Sequence, residues 1–283
     1  MSTSVVQILI AVPREDASRY HKNLSASKNF RLNIVSDRRD VLTTLANRDL
    51  HIDVLVLDNR LGGIYDLIGD VRHSYPRLFI ILVDEEADFG LPGQADDIST
   101  APFENDDLVK RITQLMSDRQ LETLRADSLP AVREFAKRLR KATGEYGKQQ
   151  AAVSACMDMD YQYVAFYHLE NMTPPLLTLK AQDGPTALQS VAPKQAADSD
   201  LMTWVAQTGQ SRVAGPDDEP THPLVKRGRL GAVACVPVTF SGQKYGVLVA
   251  CRETPNTITQ ENVIMLELVS AQLAAAVSKE IIS

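Results

Sequence analysis

Carboxylate side chains stand where strand-like segments end, and they are the first candidates for chemistry in this sequence. Asp58 and Asp84 each close an apolar run, and Glu15 and Asp16 follow soon after the first such run, Val5–Val12. Open parallel sheets bind their ligands beyond the carboxyl ends of the strands, and carboxylate oxygens are ligands of Mg²⁺. The sequence therefore predicts an acidic site around Asp58. We expect no cofactor there, since a single aspartate can bind Mg²⁺ only weakly.

The cysteines do not predict a metal site. Cys156, Cys235 and Cys251 are odd in number and show no CxxC spacing. Such a set is typical neither of a disulfide framework nor of a zinc site. We expect all three to be small, reduced residues of the core. A protein without disulfides suits a reducing cytoplasm, and we expect it to be located there.

Three residues of the second half are candidates for a ligand pocket. Trp204 can stack on a ligand or anchor the core. His222, between Thr221 and Pro223, can be a polar group of a pocket or an exposed loop histidine. Arg227 lies in a basic loop that can meet an anion or simply be solvated. No nucleophile and base occur at a productive spacing, so we expect no enzymatic activity.

The first 116 residues alternate strand-like and helix-like segments. Strand-like runs occur at 5–12, 30–35, 52–57 and 78–83, and the first and last of them are apolar on both faces. This pattern indicates a parallel sheet covered by helices on both sides, the α/β doubly wound class.

Two segments resemble the receiver domains of bacterial response regulators. Residues 53–63, Asp-Val-Leu-Val-Leu-Asp-Asn-Arg-Leu-Gly-Gly, are similar to the third strand of the family, and residues 95–103 are similar to the fifth. The resemblance covers residues 1–116. It implies a five-stranded doubly wound parallel sheet, with Asp58 as the acceptor of a phosphoryl group.

The same resemblance implies that the receiver chemistry is degenerate. Val12 and Pro13 replace the acidic pair that holds Mg²⁺ in the family, and Ala101 replaces the lysine before the last proline. Asp84 places a second carboxylate near Asp58, which disfavours further negative charge. We therefore expect a pseudo-receiver that is not phosphorylated.

A basic helical region follows. Residues 117–130 are predicted to be a helical linker, and an apolar stripe then runs from Val132 to Tyr146 at intervals of three and four residues. This spacing suits packing on a partner helix. The opposite face has the basic residues of a solvated helix surface, namely Arg133, Lys137, Arg138, Arg140 and Lys141. No aromatic residue is interleaved with these charges in the way that a stacking platform for bases needs, and both large flanking blocks are acidic. We therefore expect no nucleic-acid binding.

The last part of the chain predicts an α+β fold around an antiparallel sheet. Segments 201–210, 234–238 and 245–249, with a closing helix whose apolar stripe runs from Leu266 to Ile281, resemble a GAF domain in order and spacing. The resemblance covers residues 131–283. It implies that the first and last helices bundle on one face of the sheet and dimerise, while the other face can hold a small molecule.

The ligand of such a domain is left open by the sequence. Residues 182–230 contain no cysteine that could attach a bilin, and the signature of cyclic-nucleotide-binding members is missing. Sulfoxide-reducing members use cysteines in the pocket loops, whereas Cys235 and Cys251 lie in predicted strands.

Together these features predict three regions: a receiver-like domain at 1–116, a linker at 117–130 and a GAF-like domain at 131–283. No run of about 18 apolar residues occurs and no signal-peptide pattern is found, so no membrane association is expected. We predict a cytoplasmic, homodimeric, non-catalytic adaptor of the two-component response-regulator type that acts on another signalling protein.

Two alternatives stay open. The first is a GAF-based sensor of a small ligand. The second is a phosphorylatable response regulator that uses Asp58, with Glu15 and Asp16 as its metal ligands.

Overall fold

The computed structural model describes residues 5–87, 94–126 and 130–282. The chain divides into two compact units: Met1–Arg72 with Leu78–Glu122, and His73–Arg77 with Thr123–Ser283. We call them the N-terminal unit and the C-terminal unit. Each contains one five-stranded sheet.

The N-terminal unit has the parallel sheet that the sequence predicts. Its strands are β1 (Val6–Ala11), β2 (Phe30–Val35), β3 (Val54–Asp58), β4 (Phe79–Val83) and β5 (Asp97–Ser99). They pair in the order β2-β1-β3-β4-β5, and every pair is parallel. This is the flavodoxin-like order of a doubly wound sheet.

Helices of the N-terminal unit cover a sheet whose central strands are apolar on both faces. All five residues of β3 are buried, as expected for a strand enclosed between layers of helix. The helices are α1 (Ala17–Leu24), α2 (Arg38–Ala46), α3 (Ile64–Ser74) and α4 (Asp107–Ala126), with a 3₁₀ turn at Asn59–Leu61. The described residues between β4 and β5, which are 84–87 and 94–96, contain no helix.

Helices α1 and α4 share one face of this sheet. Their side chains Tyr20, Leu24, Leu108 and Ile112 join β1 and β3 in one buried cluster. The linker predicted at 117–130 is helical as far as Ala126, because α4 extends into it and ends at that residue. Residues 127–129 of that linker lie outside the described residues.

The C-terminal unit has an antiparallel sheet and six helices among its described residues. In chain order its elements are α5 (Pro130–Lys141), α6 (Gly144–Met157), β6 (Tyr163–Met172), β7 (Pro175–Asp183), α7 (Thr186–Val191), α8 (Leu201–Thr208), β8 (Arg212–Ala214), α9 (Pro223–Lys226), β9 (Ala232–Phe240), β10 (Gln243–Arg252) and α10 (Gln260–Ile282). The strands pair in the order β7-β6-β10-β9-β8, all antiparallel.

The apolar stripe of α5 packs inside its own unit. Val132, Phe135 and Leu139 are 2%, 3% and 4% exposed, and the latter two join α6, α10 and the sheet in one core. The predicted extension of the stripe to Tyr146 was wrong. Helix α5 ends at Lys141 and Gly144 adopts a left-handed φ of 69°, so Tyr146 falls in the next helix and is exposed.

Helix α10 is the core helix of the C-terminal unit. Its segment Gln260–Lys279 has a mean hydropathy of 1.2, enough by length and composition for a membrane-crossing helix. Half of this segment is buried inside the protein, with Leu266, Val269 and Leu273 packed against the sheet and α6. A buried core helix accounts for that composition. The side chain of Ile281, the last residue of the predicted stripe, lies outside the described residues.

Candidate functional site

Asp58 lies at the carboxyl end of β3, and its carboxylate is fully engaged. The residue is 1% exposed. Its Oδ1 accepts hydrogen bonds from the backbone N and the Nε of Arg60, at 3.0 and 2.9 Å. Its Oδ2 accepts from Nη2 of Arg60 at 2.7 Å and from the hydroxyl of Tyr20 at 2.9 Å. A carboxylate has about four lone-pair positions, so these four bonds saturate it.

Arg60 joins the end of β3 to the start of α1. Its Nη2 lies 2.8 Å from Oδ2 of Asp16, the residue that precedes α1. The side chain of Asp16 makes no capping hydrogen bond to its own helix, and its carboxylate pairs with the guanidinium instead. The chain enters a 3₁₀ turn directly after Asp58, which brings both the backbone N and the side chain of Arg60 onto that carboxylate.

The pKa shifts describe a fixed ion pair with a neutral phenol beside it. Burial by itself would raise the pKa of Asp58, but the hydrogen bonds from Arg60 and Tyr20 favour the charged form and the pKa is lowered. The same bonds raise the pKa of Arg60. Burial, together with the charge of Asp58, raises the pKa of Tyr20. At neutral pH the site therefore contains a carboxylate, its counter-ion and a neutral hydroxyl donor.

The other acidic candidates do not complete a receiver site. Asp84 accepts hydrogen bonds from Nδ2 of Asn59 at 3.0 Å and from the backbone N of Glu86 at 3.1 Å. Glu15 is exposed. A cavity of about 210 Å³ lies between the ends of β3 and β4, lined by Asp58, Asn59, Arg60, Val83, Asp84, Glu85 and Glu86. The structure thus brings Asp16 to Asp58 through Arg60, and it leaves Glu15 in solvent.

These residues do not fit the Mg²⁺ ion that the receiver resemblance implies. Val12, at one position of the family's acidic pair, is a fully buried apolar residue. Within 5–87, 94–126 and 130–282, no group of three or more His, Cys, Asp or Glu side chains could hold a metal ion. The oxygens of Asp58 that an ion would need are bonded to Arg60 and Tyr20.

Sequence reasoning missed both partners of Asp58. Arg60 is two residues away, and a cation at that spacing from a strand-ending aspartate is a signal that the sequence does contain. Tyr20 is 38 residues away, and only the packing of α1 on the sheet brings its hydroxyl to Asp58.

In the C-terminal unit, the sheet face opposite the core helices is also buried. Val164 and Phe166 pack toward the helices, so the alternation of β6 directs Tyr163 and Tyr167 to the opposite face. Both tyrosines are fully buried. Their hydroxyls donate to Oε1 of Gln182 at 3.0 Å and to the carbonyl of Pro193 at 2.9 Å. The large side chains on this face are therefore fixed by hydrogen bonds as well as by packing.

His222 was expected as either a pocket group or an exposed loop residue, and the exposed alternative is wrong. Its side chain is fully buried, with its ring 6.5 Å from that of Tyr167. Nδ1 accepts a hydrogen bond from the backbone N of Leu224 at 3.2 Å and so caps α9. Desolvation, with a smaller effect of the Arg227 charge, lowers the pKa of His222 to about 3. The imidazole is neutral at physiological pH.

Trp204 and Arg227 occupy very different environments. Trp204 is 1% exposed within α8. Nζ of Lys244 fixes that helix by donating to the carbonyls of Ala206 and Gln207, at 2.7 and 2.6 Å. Trp204 is thus an anchor of the core. Arg227 is exposed and makes a long hydrogen bond of 3.4 Å to the carbonyl of Val191.

The three cysteines are free and buried. Cys235 lies opposite Val249 in the hairpin of β9 and β10, so Cys251 is diagonal to it. Burial raises the pKa of all three thiols, which disfavours the reactive thiolate.

Comparison with known proteins assigns residues 149–278, which lie within the C-terminal unit. Residues 149–278 match the model of a family described as GAF domain. No curated protein matches the chain. Among solved structures, the chain is similar to the GAF domain of a phosphoenolpyruvate-protein phosphotransferase from Acinetobacter, with 17% identity and a TM-score of 0.45 over 54% of this chain and 93% of that one. It is also similar to a free methionine-R-sulfoxide reductase from Neisseria meningitidis, with 16% identity and a TM-score of 0.46 over 52% of this chain and 86% of that one. The match falls within residues 131–283, the region whose sequence resembles a GAF domain. Residues 149–278 are therefore a GAF domain.

Proposed function

We propose that this protein is a non-catalytic signalling adaptor of the two-component type, in which a receiver-like unit that takes no phosphoryl group is joined to a GAF domain. The GAF match supports a signalling or sensory role. The flavodoxin-like strand order and the position of Asp58 at the end of β3 support a receiver-like N-terminal unit. The observation that carries the proposal is that Arg60 and Tyr20 saturate the carboxylate of Asp58.

Phosphoryl transfer makes demands that this site does not meet. The acceptor must attack with a carboxylate oxygen, and a cation must neutralise the charge on the phosphoryl oxygens. Attack by either oxygen of Asp58 would break hydrogen bonds from Arg60. The phosphoryl group would add nearly two negative charges where one guanidinium is already shared between Asp58 and Asp16. The geometry suits a permanent ion pair.

Acetyl phosphate with Mg²⁺ tests this proposal on the full-length protein. We expect intact-mass spectrometry to show the unmodified mass after treatment, for wild type and for Asp58→Asn alike. A gain of one phosphoryl group on wild type that is lost in Asp58→Asn would refute the proposal. The protein would then be a working response regulator, with Glu15 and Asp16 as the candidate metal ligands.

A sensor of a small molecule is the second candidate, and His222 favours it. Its Nε2 is buried and has no hydrogen-bond partner among the described residues. A buried polar atom without a partner is costly, and a ligand with a polar group at this position would satisfy it. Native mass spectrometry of protein purified from its own cells separates the two candidates. An additional small-molecule mass that disappears in His222→Asn would favour the sensor, and the mass of the polypeptide alone favours the adaptor.

The adaptor is proposed to be a cytoplasmic homodimer without enzymatic activity that acts on another signalling protein. The raised thiol pKa values argue against cysteine chemistry. Leu139 and Leu273, which belong to the stripes that predicted a dimer, are buried in the core of the C-terminal unit. A dimer would therefore have to use other faces of α5, α6 and α10.

A further inference from the structure

We propose that the guanidinium of Arg60 is the resident cation of the N-terminal carboxylate site: it stands where a divalent ion would be shared by Asp16 and Asp58, and it excludes that ion. The inference deepens the proposed function and rests on it in taking this site as receiver-like. It assigns to Arg60 the role of a positioning residue that replaces the metal.

The contacts of one nitrogen atom of Arg60 support this proposal. Nη2 of Arg60 lies 2.7 Å from Oδ2 of Asp58 and 2.8 Å from Oδ2 of Asp16. The two carboxylate oxygens therefore face the same point, the position of that nitrogen. Oxygen ligands lie about 2.0–2.1 Å from Mg²⁺ and about 2.3–2.6 Å from Ca²⁺. Small movements of the two side chains would therefore turn this pair into cation ligands once the guanidinium is removed.

Asp58 is buried, so its charged form needs a cation at this point. The side chain of Asp58 is 2% exposed, and a buried charge without a partner is strongly destabilising. The side chain of Arg60 is 54% exposed, so its truncation would open the position to solvent ions. The backbone N of Arg60 would still hold Oδ1 of Asp58 in place. An ordinary surface ion pair has little effect on stability. In this pair, however, Asp58 is buried, and the guanidinium of Arg60 donates two hydrogen bonds to its carboxylate, from Nε and Nη2.

Arg111 offers a matched control in the same unit. Its guanidinium also contacts two carboxylates, Asp97 and Asp107, at 2.7 Å each. Different nitrogens make these contacts, Nη1 and Nε, and both carboxylates are about 30% exposed. Removal of Arg111 would therefore leave two partly exposed carboxylates that do not face one common position, and no buried charge without a partner.

The experiment titrates Mn²⁺ into the full-length protein and follows the free ion by electron paramagnetic resonance. We expect no saturable binding by wild type or by Arg111→Ala at submillimolar Mn²⁺. Arg60→Ala is expected to gain a single site at least tenfold tighter than any binding by wild type. Its melting temperature should be below that of wild type without the ion and should rise when Mn²⁺ is added. Arg60→Ala combined with Asp58→Asn should lose both the site and the rescue.

Two results would overturn the inference. One is saturable Mn²⁺ binding by wild type with the affinity of the variant. The other is a folded Arg60→Ala protein, judged by circular dichroism, that binds Mn²⁺ no better than wild type. If Arg60→Ala does not fold, the same comparison is made with Arg60→Gln, which keeps a polar side chain and removes the charge. Phosphorylation of wild type by acetyl phosphate would instead refute the proposed function, so the two failures are distinguishable.

Discussion

Acid should destabilise the GAF domain through His222, because the folded domain resists a proton that the unfolded chain accepts. Burial, with a smaller effect of Arg227, lowers the pKa of His222 to about 3 in the folded protein, and an unperturbed histidine has a pKa of about 6.5. As the pH falls below that value, the unfolded state binds a proton and the folded state does not. The free energy of unfolding should therefore fall by about 1.4 kcal/mol per pH unit, until the pH approaches the folded pKa.

The magnitude is large enough to measure. Between pH 7 and pH 5, one such histidine lowers the free energy of unfolding by about 2 kcal/mol. This figure barely depends on the folded pKa as long as that value lies well below 5. Domains are typically stable by about 5–15 kcal/mol, so the loss is a substantial share of the total.

Trp204 provides a specific assay. It is the single tryptophan of the sequence and is 1% exposed in the GAF domain, so its fluorescence reports the unfolding of that domain. Urea denaturation followed at pH 7, 6 and 5 should show the decrease in wild type. His222→Asn should be less stable at pH 7 but lose this part of the pH dependence, because the Asn oxygen can accept from Leu224 in place of Nδ1 without titrating.

The exposed His21 supplies the control. His21→Asn should keep the pH dependence of wild type, since this side chain is in solvent. A free energy of unfolding that is the same at pH 7 and pH 5 in wild type would refute the reasoning. So would a pH dependence of equal size in His222→Asn, because the proton would then be taken up elsewhere.

Two further predictions concern the core of the C-terminal unit. Leu139→Glu and Leu273→Glu should each unfold it or destabilise it by about 3 kcal/mol or more, because each places a carboxylate in the buried cluster. Tyr146→Glu, at a site that is 66% exposed, should change stability little. A well-folded monomer from either leucine variant would contradict the burial of these leucines. The three cysteines should react with a thiol reagent only as fast as the native protein opens, since all are buried and have raised pKa values. Rapid labelling of all three in the absence of denaturant would show that the thiols are accessible in the native protein, contrary to this prediction.

Much of the fold follows from local sequence pattern. The strand predicted at 30–35 is present with the same bounds. The helix that contains Trp204 ends at Thr208, just before Gly209, whose φ of 73° suits glycine. These segments combine a clear periodicity with a residue that restricts the backbone at the boundary. For such segments the local sequence is sufficient to predict both the element and where it ends.

The stripe from Val132 to Tyr146 shows where pattern is insufficient. Intervals of three and four residues continue across 142–144, but the helix does not, because α5 ends at Lys141 and α6 begins at Gly144. Periodicity also does not say whether an apolar face meets a second molecule or the rest of its own domain. Here Val132, Phe135 and Leu139 are buried within the C-terminal unit.

The position of the candidate site could be predicted from the sequence, but the hydrogen bonding of Asp58 could not. The carboxyl end of β3 could be predicted because strand order places it at the crevice of a doubly wound sheet. Whether Asp58 is free depends on Tyr20, which packs against it from α1, and on the rotamer of Arg60. The choice between the two alternatives for His222 could not be predicted for a similar reason. The sequence Thr221-His222-Pro223 is typical of a loop, but tertiary packing buries Thr221 and His222.

Asp58 and His222 are both buried ionisable groups, but one is buried in its charged form and the other in its neutral form. A buried ionisable group is stable either with a counter-ion or in its neutral form. Asp58 remains charged because Arg60 is beside it, and its lowered pKa means that this contribution to stability is present above about pH 4, the unfolded value, and is lost as the pH falls through the folded value. His222 remains neutral, and the cost of keeping it so begins near pH 6.5. The GAF domain should therefore weaken at a higher pH than the carboxylate site of the N-terminal unit.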